Sequence, residues 1–214
     1  MCTRFYVEPM SSYHGLIEKA QRTALAKEIM VKLGKPLTMT GEIRPTDVAA
    51  VLAPNKAGRM AVFPMLWGFW VDGYNAPIVN CRIETADSKP LWKDSWYRRR
   101  CVIPCSWYFE WEHFSSPDGK RKKTGDKYSI QPKGSDHTYL AGLYRFEAHG
   151  GMHVPVFSVL TRTPSESVRS LHDWMPLILG KEDVANWIRP DGDPREMCAR
   201  ALTEMVVEKA VQTG

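Results

Sequence analysis

Cys2 is the first side chain in the sequence with an obvious chemical use. It stands directly behind the initiator methionine in MCTRFYVEPM. Removal of Met1 would leave Cys2 with a free α-amine and a thiol on adjacent carbons. Such a 1,2-aminothiol condenses with aldehydes: the amine forms an imine, the sulfur adds to it, and a five-membered thiazolidine ring closes. A cysteine in a short terminal peptide can equally be incidental. At neutral pH an α-amine titrating near about 8 and a thiol near about 8.5 are both mostly protonated, so this chemistry needs a base close by.

Three further positions could supply the remaining groups. Asn80, in VNCRIET, stands at the polar end of a short strand along which Arg82 and Glu84 follow at alternate positions. Glu110, in CSWYFEWEH, is an acid between Phe109 and Trp111 on a mostly apolar strand. Turned inward, its pKa would rise towards the range of a proton carrier; turned outward by strand alternation, it would be an ordinary surface acid. His172, in SLHDWMP, suits either a proton donor or a capping residue, and Asp173 beside it reads as a turn residue. Cys101 and Cys105, four apart on an extended segment, face one side and read as buried free thiols. No second ligand pair at zinc spacing accompanies them, so no metal and no cofactor is expected. The chain has no glycine-rich phosphate loop and no nucleophile elbow. Trp67, Gly68, Phe69 and Trp70 form either core or a base-stacking platform, with core the simpler reading.

The elements that must position these residues are mostly strands. A helix is expected within 11–36, capped by Ser11 or Ser12 and stopped by Gly34 and Pro36. Strands are expected at 59–71, 77–84, 100–113, 127–132, 138–147, 154–163 and 175–180. Short helices are expected near 86–99, 164–172 and 181–190, and a polar hairpin tip at 115–126. Many strands with scattered helices predict an α+β fold: a curved, mainly antiparallel sheet or open barrel. No repeat or linker divides the chain, so 1–214 reads as one domain.

Bulk composition narrows the function classes. The chain has 214 residues, 43% hydrophobic and 25% charged, ordinary values for a soluble globular protein. No apolar run reaches the length of a membrane span and no secretory signal is visible, so a cytoplasmic location with no membrane partner is expected. Five cysteines at irregular spacing fit reduced thiols. A net charge of +5 permits an anionic partner without requiring one. The basic run 120–123 reads as a solvated turn.

Taken in order, these segments resemble one family. MCTRF is similar to the M-C-G-R-F start of the SOS response-associated peptidase (SRAP) proteins, also called abasic site processing proteins. VNCRIET resembles their I-N-A-R-x-E-T, PCSWYFEW their [AD]-G-[FWY]-[YF]-E-W, and LHDWMP their I-H-x-R-M-P. The resemblance implies the SRAP fold, a monomer, and single-stranded DNA containing abasic sites as partner, with nucleoid association when bound. It implies that Cys2, after self-removal of Met1, closes a thiazolidine on the abasic aldehyde, a peptidase and lyase-type chemistry. It assigns Asn80 to orienting the N-terminus, Glu110 to general acid–base work and His172 to protonating the sugar. Arg4 and Arg82 are implied as phosphate contacts, and Pro45, Trp67, Gly68, Trp111 and Trp174 as DNA-lining residues. Two positions depart from the pattern: Thr3 stands where the family has glycine, and Trp174 where it has arginine. The competing functions are an N-terminal-nucleophile amidohydrolase, which calls for a four-layer αββα sandwich, and a non-catalytic single-strand binding module.

Overall fold

The structure, a computed structural model, describes residues 2–9, 11–115 and 122–210. The first half of the chain forms β1 (Phe5–Val7), α1 (His14–Gln21), α2 (Ala24–Leu33), β2 (Gly41–Ile43), β3 (Val48–Pro54), β4 (Met60–Trp67), β5 (Asn80–Arg82), α3 (Ile83–Ala86) and α4 (Pro90–Arg98). The second half forms β6 (Arg100–Cys105), β7 (Trp107–Ser115), β8 (Lys122–Pro132), β9 (Thr138–His149), β10 (Met152–Arg162), β11 (Met175–Pro176) and β12 (Ile178–Leu179). It ends with α5 (Val184–Trp187), α6 (Pro194–Ala199) and β13 (Met205–Lys209). The fold is α+β.

Strands β10, β4, β3, β6 and β9 are neighbours in that order, and the β9–β10 pairing closes them into a five-stranded barrel. The sequence reading stopped at a curved sheet or an open barrel. Closure depends on β9 and β10, a hairpin long enough for β9 to pair β6 on one flank while β10 meets β4 on the other. Closing the ring pairs edges that would otherwise stay open. This is not a four-layer sandwich. Against the barrel lies a second, antiparallel sheet in the order β13-β8-β7-β1-β2. Buried side chains from Cys2 to Met205 form one contiguous cluster.

Two features of the barrel position the site. Strand β4 leaves β10 after Trp67, where Trp67 pairs with Phe157, and β5 takes its place, with Asn80 opposite Val159. Gly68 makes this exchange possible: its φ is +122°, and a Cβ there would lie 2.6 Å from the Pro77 Cβ. In the second sheet, β7 pairs β1 at Phe5–Tyr108 and Tyr6–Trp107. The alternation of β7 sends Tyr108 and Glu110 to one face and Trp107, Phe109 and Trp111 to the other.

Several expected elements differ. The helix within 11–36 is two helices, broken at Thr23, whose hydroxyl accepts from the Ala26 N–H as the cap of α2. Neither Ser11 nor Ser12 caps α1; Tyr13 holds that position without a side-chain bond. Gly34 ends α2 in the left-handed conformation, φ 65°. The segment 164–172 is a series of turns, not a helix. Nine residues starting at a proline are too few to sustain a helix without tertiary support. The capped helix expected at 181–190 is a 3₁₀ turn, Lys181–Asp183, followed by α5, with no side-chain cap on either. Strand β3, VAAVLAP, is buried along nearly its whole length, so it lacks the alternation that would have marked it as a strand. Of the expected hairpin tip 115–126, residues 122–126 form the start of β8, so Lys122 and Lys123 of the basic run 120–123 lie in a strand and not a turn; 120–121 lie outside the described residues.

Candidate active site

The N-terminal segment reaches the barrel through β1. Beyond the β1–β7 pairs, the Phe109 N–H donates to the Arg4 carbonyl at 2.9 Å, which holds residues 2–4 along β7. Cys2 is thereby buried, at 0% exposure. Asn80, delivered by the Gly68 turn and the β5–β10 pairing, donates from Nδ2 to the Cys2 carbonyl at 2.9 Å. The Val79 carbonyl beside it is held by the Val159 N–H at 2.9 Å and the Trp67 indole N–H at 3.1 Å. The asparagine therefore sits on a fixed piece of backbone.

Glu110 faces inward, 2% exposed, on the same side of β7 as Tyr108. Burial pushes its carboxyl up to about 7. The Cys2 thiol is pushed well above its ordinary range, first by burial and then by the charge on Glu110, and it donates weakly to the Arg4 carbonyl. His172 Nε2 lies 3.8 Å from Glu110 Oε2. Burial pushes the imidazole down to about 4, so it is neutral at pH 7. The contact is therefore one between a neutral ring and a titrating acid, not a standing ion pair. The Trp174 N–H donates to His172 Nδ1 at 2.9 Å. The same Nδ1 lies 3.0 Å from the Trp174 carbonyl, so the Trp174 backbone brackets this edge of the ring while Nε2 faces Glu110. The structure thus brings Cys2, Asn80, Glu110 and His172 into one cluster.

The other sequence candidates divide. Trp67 is 1% exposed, its indole enclosed by Phe5 and Phe157, so the reading of this ring as a DNA-lining face is corrected: it packs the core and pins Val79. Gly68 is buried and acts through its backbone conformation, with its N–H donating to the Phe157 carbonyl. Pro45 is half-buried in a turn whose Thr46 N–H bonds the Trp67 carbonyl at 2.9 Å. Arg4 is half-buried and engaged, with Nε 2.9 Å from Glu42 Oε1 and Nη1 bonded to the Thr3 carbonyl. Trp111 is half-buried on the outer face of β7. Arg82 is exposed, its guanidinium carbon 3.9 Å over the half-buried Trp174 ring.

Sequence reasoning missed Glu42 and Lys127. Burial alone would raise the Glu42 carboxyl, but Lys127, Arg44 and Arg4 around it hold it below its ordinary value. Lys127 also lies 3.7 Å from the Phe109 ring centre. Nothing local in the sequence marks this cluster, because β2, β1 and β8 meet only through sheet pairing. Tyr108 was also passed over, although it shares a face with Glu110. Burial, then Cys2 and Glu110, push its hydroxyl upwards.

Comparison with known proteins gives consistent results. The family model for SOS response associated peptidase (SRAP) matches residues 1–213. The abasic site processing protein YoaM of Bacillus subtilis is 31% identical over 165 residues, covering 70% of this chain and 68% of that protein. YedK of Escherichia coli, with the same description, is 26% identical and covers 62% of this chain and 57% of its own length. HMCES of Xenopus tropicalis is 29% identical and covers 58% and 44%. The chain thus spans about half the length of several of these relatives. Among solved structures, a protein from Bacteroides thetaiotaomicron superposes with a TM-score of 0.69 at 19% identity, covering 97% of this chain and 92% of that one. A phage-related protein from Bordetella bronchiseptica gives 0.67 at 19% identity, covering 99% and 95%. These two likenesses concern the fold.

Proposed function

The chain belongs to the SOS response associated peptidase (SRAP) family, and from that premise we propose that it captures abasic sites in single-stranded DNA as a covalent thiazolidine on Cys2. The observation that carries this reading is the Asn80 side chain holding the Cys2 carbonyl at 2.9 Å beside a buried Glu110 poised near neutral pH. The relatives' common description as abasic site processing proteins and the net charge of +5 support DNA as the partner.

In the proposed sequence, Glu110 first assists hydrolysis of the Met1–Cys2 peptide bond, consuming one water and freeing the Cys2 amine. A proton from the Glu110 carboxyl, passed by way of the neutral His172 imidazole, then reaches the ring oxygen of the abasic sugar, the C1 hydroxyl returns its proton to Glu110, and the hemiacetal opens to an aldehyde. The Cys2 amine adds to the aldehyde carbon, and the carbinolamine loses water to give an imine. Sulfur attacks the imine carbon while the thiol proton passes, by way of Glu110, to nitrogen. The balance is aminothiol plus aldehyde giving thiazolidine plus water, with no redox step. A carboxyl near 7 is present in both protonation states at neutral pH and can serve each proton transfer. Asn80 fixes the Cys2 backbone so that amine and thiol address one carbon. Arg4, Arg82, Pro45 and Trp111 are assigned to the surrounding strand-binding surface.

The test is to mix the purified protein with single-stranded DNA carrying one abasic site and look for a denaturant-stable shift on a gel. Intact mass should show loss of one methionine before the adduct forms. Turnover of small amides without any adduct would favour the amidohydrolase reading instead.

A further inference from the structure

Trp174 stands two residues after His172, so a ring and not a charge lies beside the histidine. Asn80 and Arg82 lie two residues apart on β5, and the Arg82 guanidinium extends over the Trp174 indole at 3.9 Å. Among the described residues, the guanidinium makes no hydrogen bond and no ion pair. Arg4, two residues after Cys2, is by contrast tied to Glu42 and to the Thr3 carbonyl. A guanidinium lying over an aromatic face still offers its in-plane N–H groups for bidentate contact with an oxyanion. The backbone that carries the indole is itself held in place, because the Trp174 main-chain N–H bonds His172 Nδ1. Arg82 also borders a cleft of about 500 Å³ that includes Asn80, Tyr74 and Lys89, so its free edge opens beside the carbonyl clamp on Cys2.

We propose that Trp174 is a positioning residue: its indole holds the Arg82 guanidinium as a preformed seat for a DNA phosphate next to the abasic sugar. This rests on the DNA reading above and deepens it. Ordering one arginine before binding removes part of the entropy cost of immobilising it in the complex. A cation–π contact at an exposed site corresponds to about a two- to fivefold change in affinity.

The experiment is a double-mutant cycle on equilibrium binding to a single-stranded oligonucleotide with a tetrahydrofuran abasic analogue, which has no aldehyde and cannot crosslink. Trp174→Ala should weaken binding about two- to fivefold, and Trp174→Phe should retain most of the affinity. Arg82→Ala should flatten the slope of log affinity against log salt by about 0.7, the loss of one phosphate contact on a single strand. In the Arg82→Ala background, Trp174→Ala should have no further effect. Equal losses in both backgrounds would mean that the indole acts on the DNA itself, and the positioning role falls. So does it if Trp174→Ala binds like the wild type. A wild type that binds this oligonucleotide but forms no adduct with an authentic abasic site would refute the covalent reading, while the cycle would still decide the role of Trp174. A wild type that does not bind at all refutes both. Thermal melts of each variant establish that folded proteins are being compared.

Discussion

At the scale of single residues, Glu110 is held in a costly state. Its folded pKa of about 7 lies above the ordinary 4.5. As pH rises past 4.5, the unfolded chain loses this proton while the folded chain keeps it. Stability therefore falls from about pH 4.5 to about 7 and levels off above, by an amount on the order of 3 kcal/mol. His172 acts oppositely: with a folded pKa of about 4, below the ordinary 6.5, it costs stability as pH falls from 6.5 towards 4. The two slopes offset each other in the wild type, so the informative quantity is the difference from Glu110→Gln. That variant should match the wild type near pH 4 and melt at a higher temperature at pH 8. The same substitution should slow crosslinking by ~10²–10⁴-fold, the pattern expected when a site holds a strained charge for function. An unchanged rate in Glu110→Gln protein already lacking Met1 would confine the residue to maturation. Cys2→Ala should abolish the denaturant-stable adduct yet leave non-covalent DNA binding nearly intact. A stable adduct in that variant would assign the nucleophile elsewhere.

At the scale of elements, the exchange from β4 to β5 determines where Asn80 stands. Gly68→Ala puts a methyl group against Pro77 and Val79 at a φ of +122°. The expected cost is about 1–3 kcal/mol, read from chemical denaturation. The crosslinking rate should fall further than the loss of folded protein explains, because the displaced segment carries Asn80. Thr23→Ala is the matched control: it removes the cap of α2 and should cost about 1 kcal/mol with crosslinking unchanged per folded molecule. The sequence was most readable where an element has one wet face and one dry one, or a strong stop such as Gly34. It was least readable at β3, which is apolar along its length, and at 164–172, where polar residues permit a helix that the tertiary structure does not support.

At the scale of the whole molecule, a buried guanidinium ties the barrel to the C-terminal segment. Arg100, 1% exposed on β6, donates to the carbonyls of Trp187 at 2.7 Å, Trp96 at 2.8 Å and Gly192 at 3.0 Å, and also to that of Arg189. Arg100→Met should leave these carbonyls unsatisfied and cost on the order of 3 kcal/mol or more, measurable as a lower denaturation midpoint. A substitution tolerated with no loss would mean that water replaces the guanidinium. The start of the chain also bears on the function of the whole protein. A permanent N-terminal tag should prevent crosslinking completely, because the Cys2 amine would remain in a peptide bond.

The amino-acid order alone determined which atoms were available: a cysteine directly behind Met1, an amide, an acid among aromatics and a histidine, each in a segment of recognisable type. It also determined the α+β class, since strand-like segments outnumber helical ones. Tertiary structure decided which way those atoms point and what they meet. A one-residue change in register would turn Glu110 to the other side of its sheet, and that register is set not only by the adjacent hairpin strand β8 but also by β1, far away in sequence. The same non-local pairing encloses Trp67, whose sequence fits a surface platform as well as a core. It also brings Arg82 and Trp174, 92 positions apart, into contact across the site. Composition and periodicity constrain each segment's own face, whereas burial, charge coupling and the distance between side chains arise only once segments distant in sequence have paired.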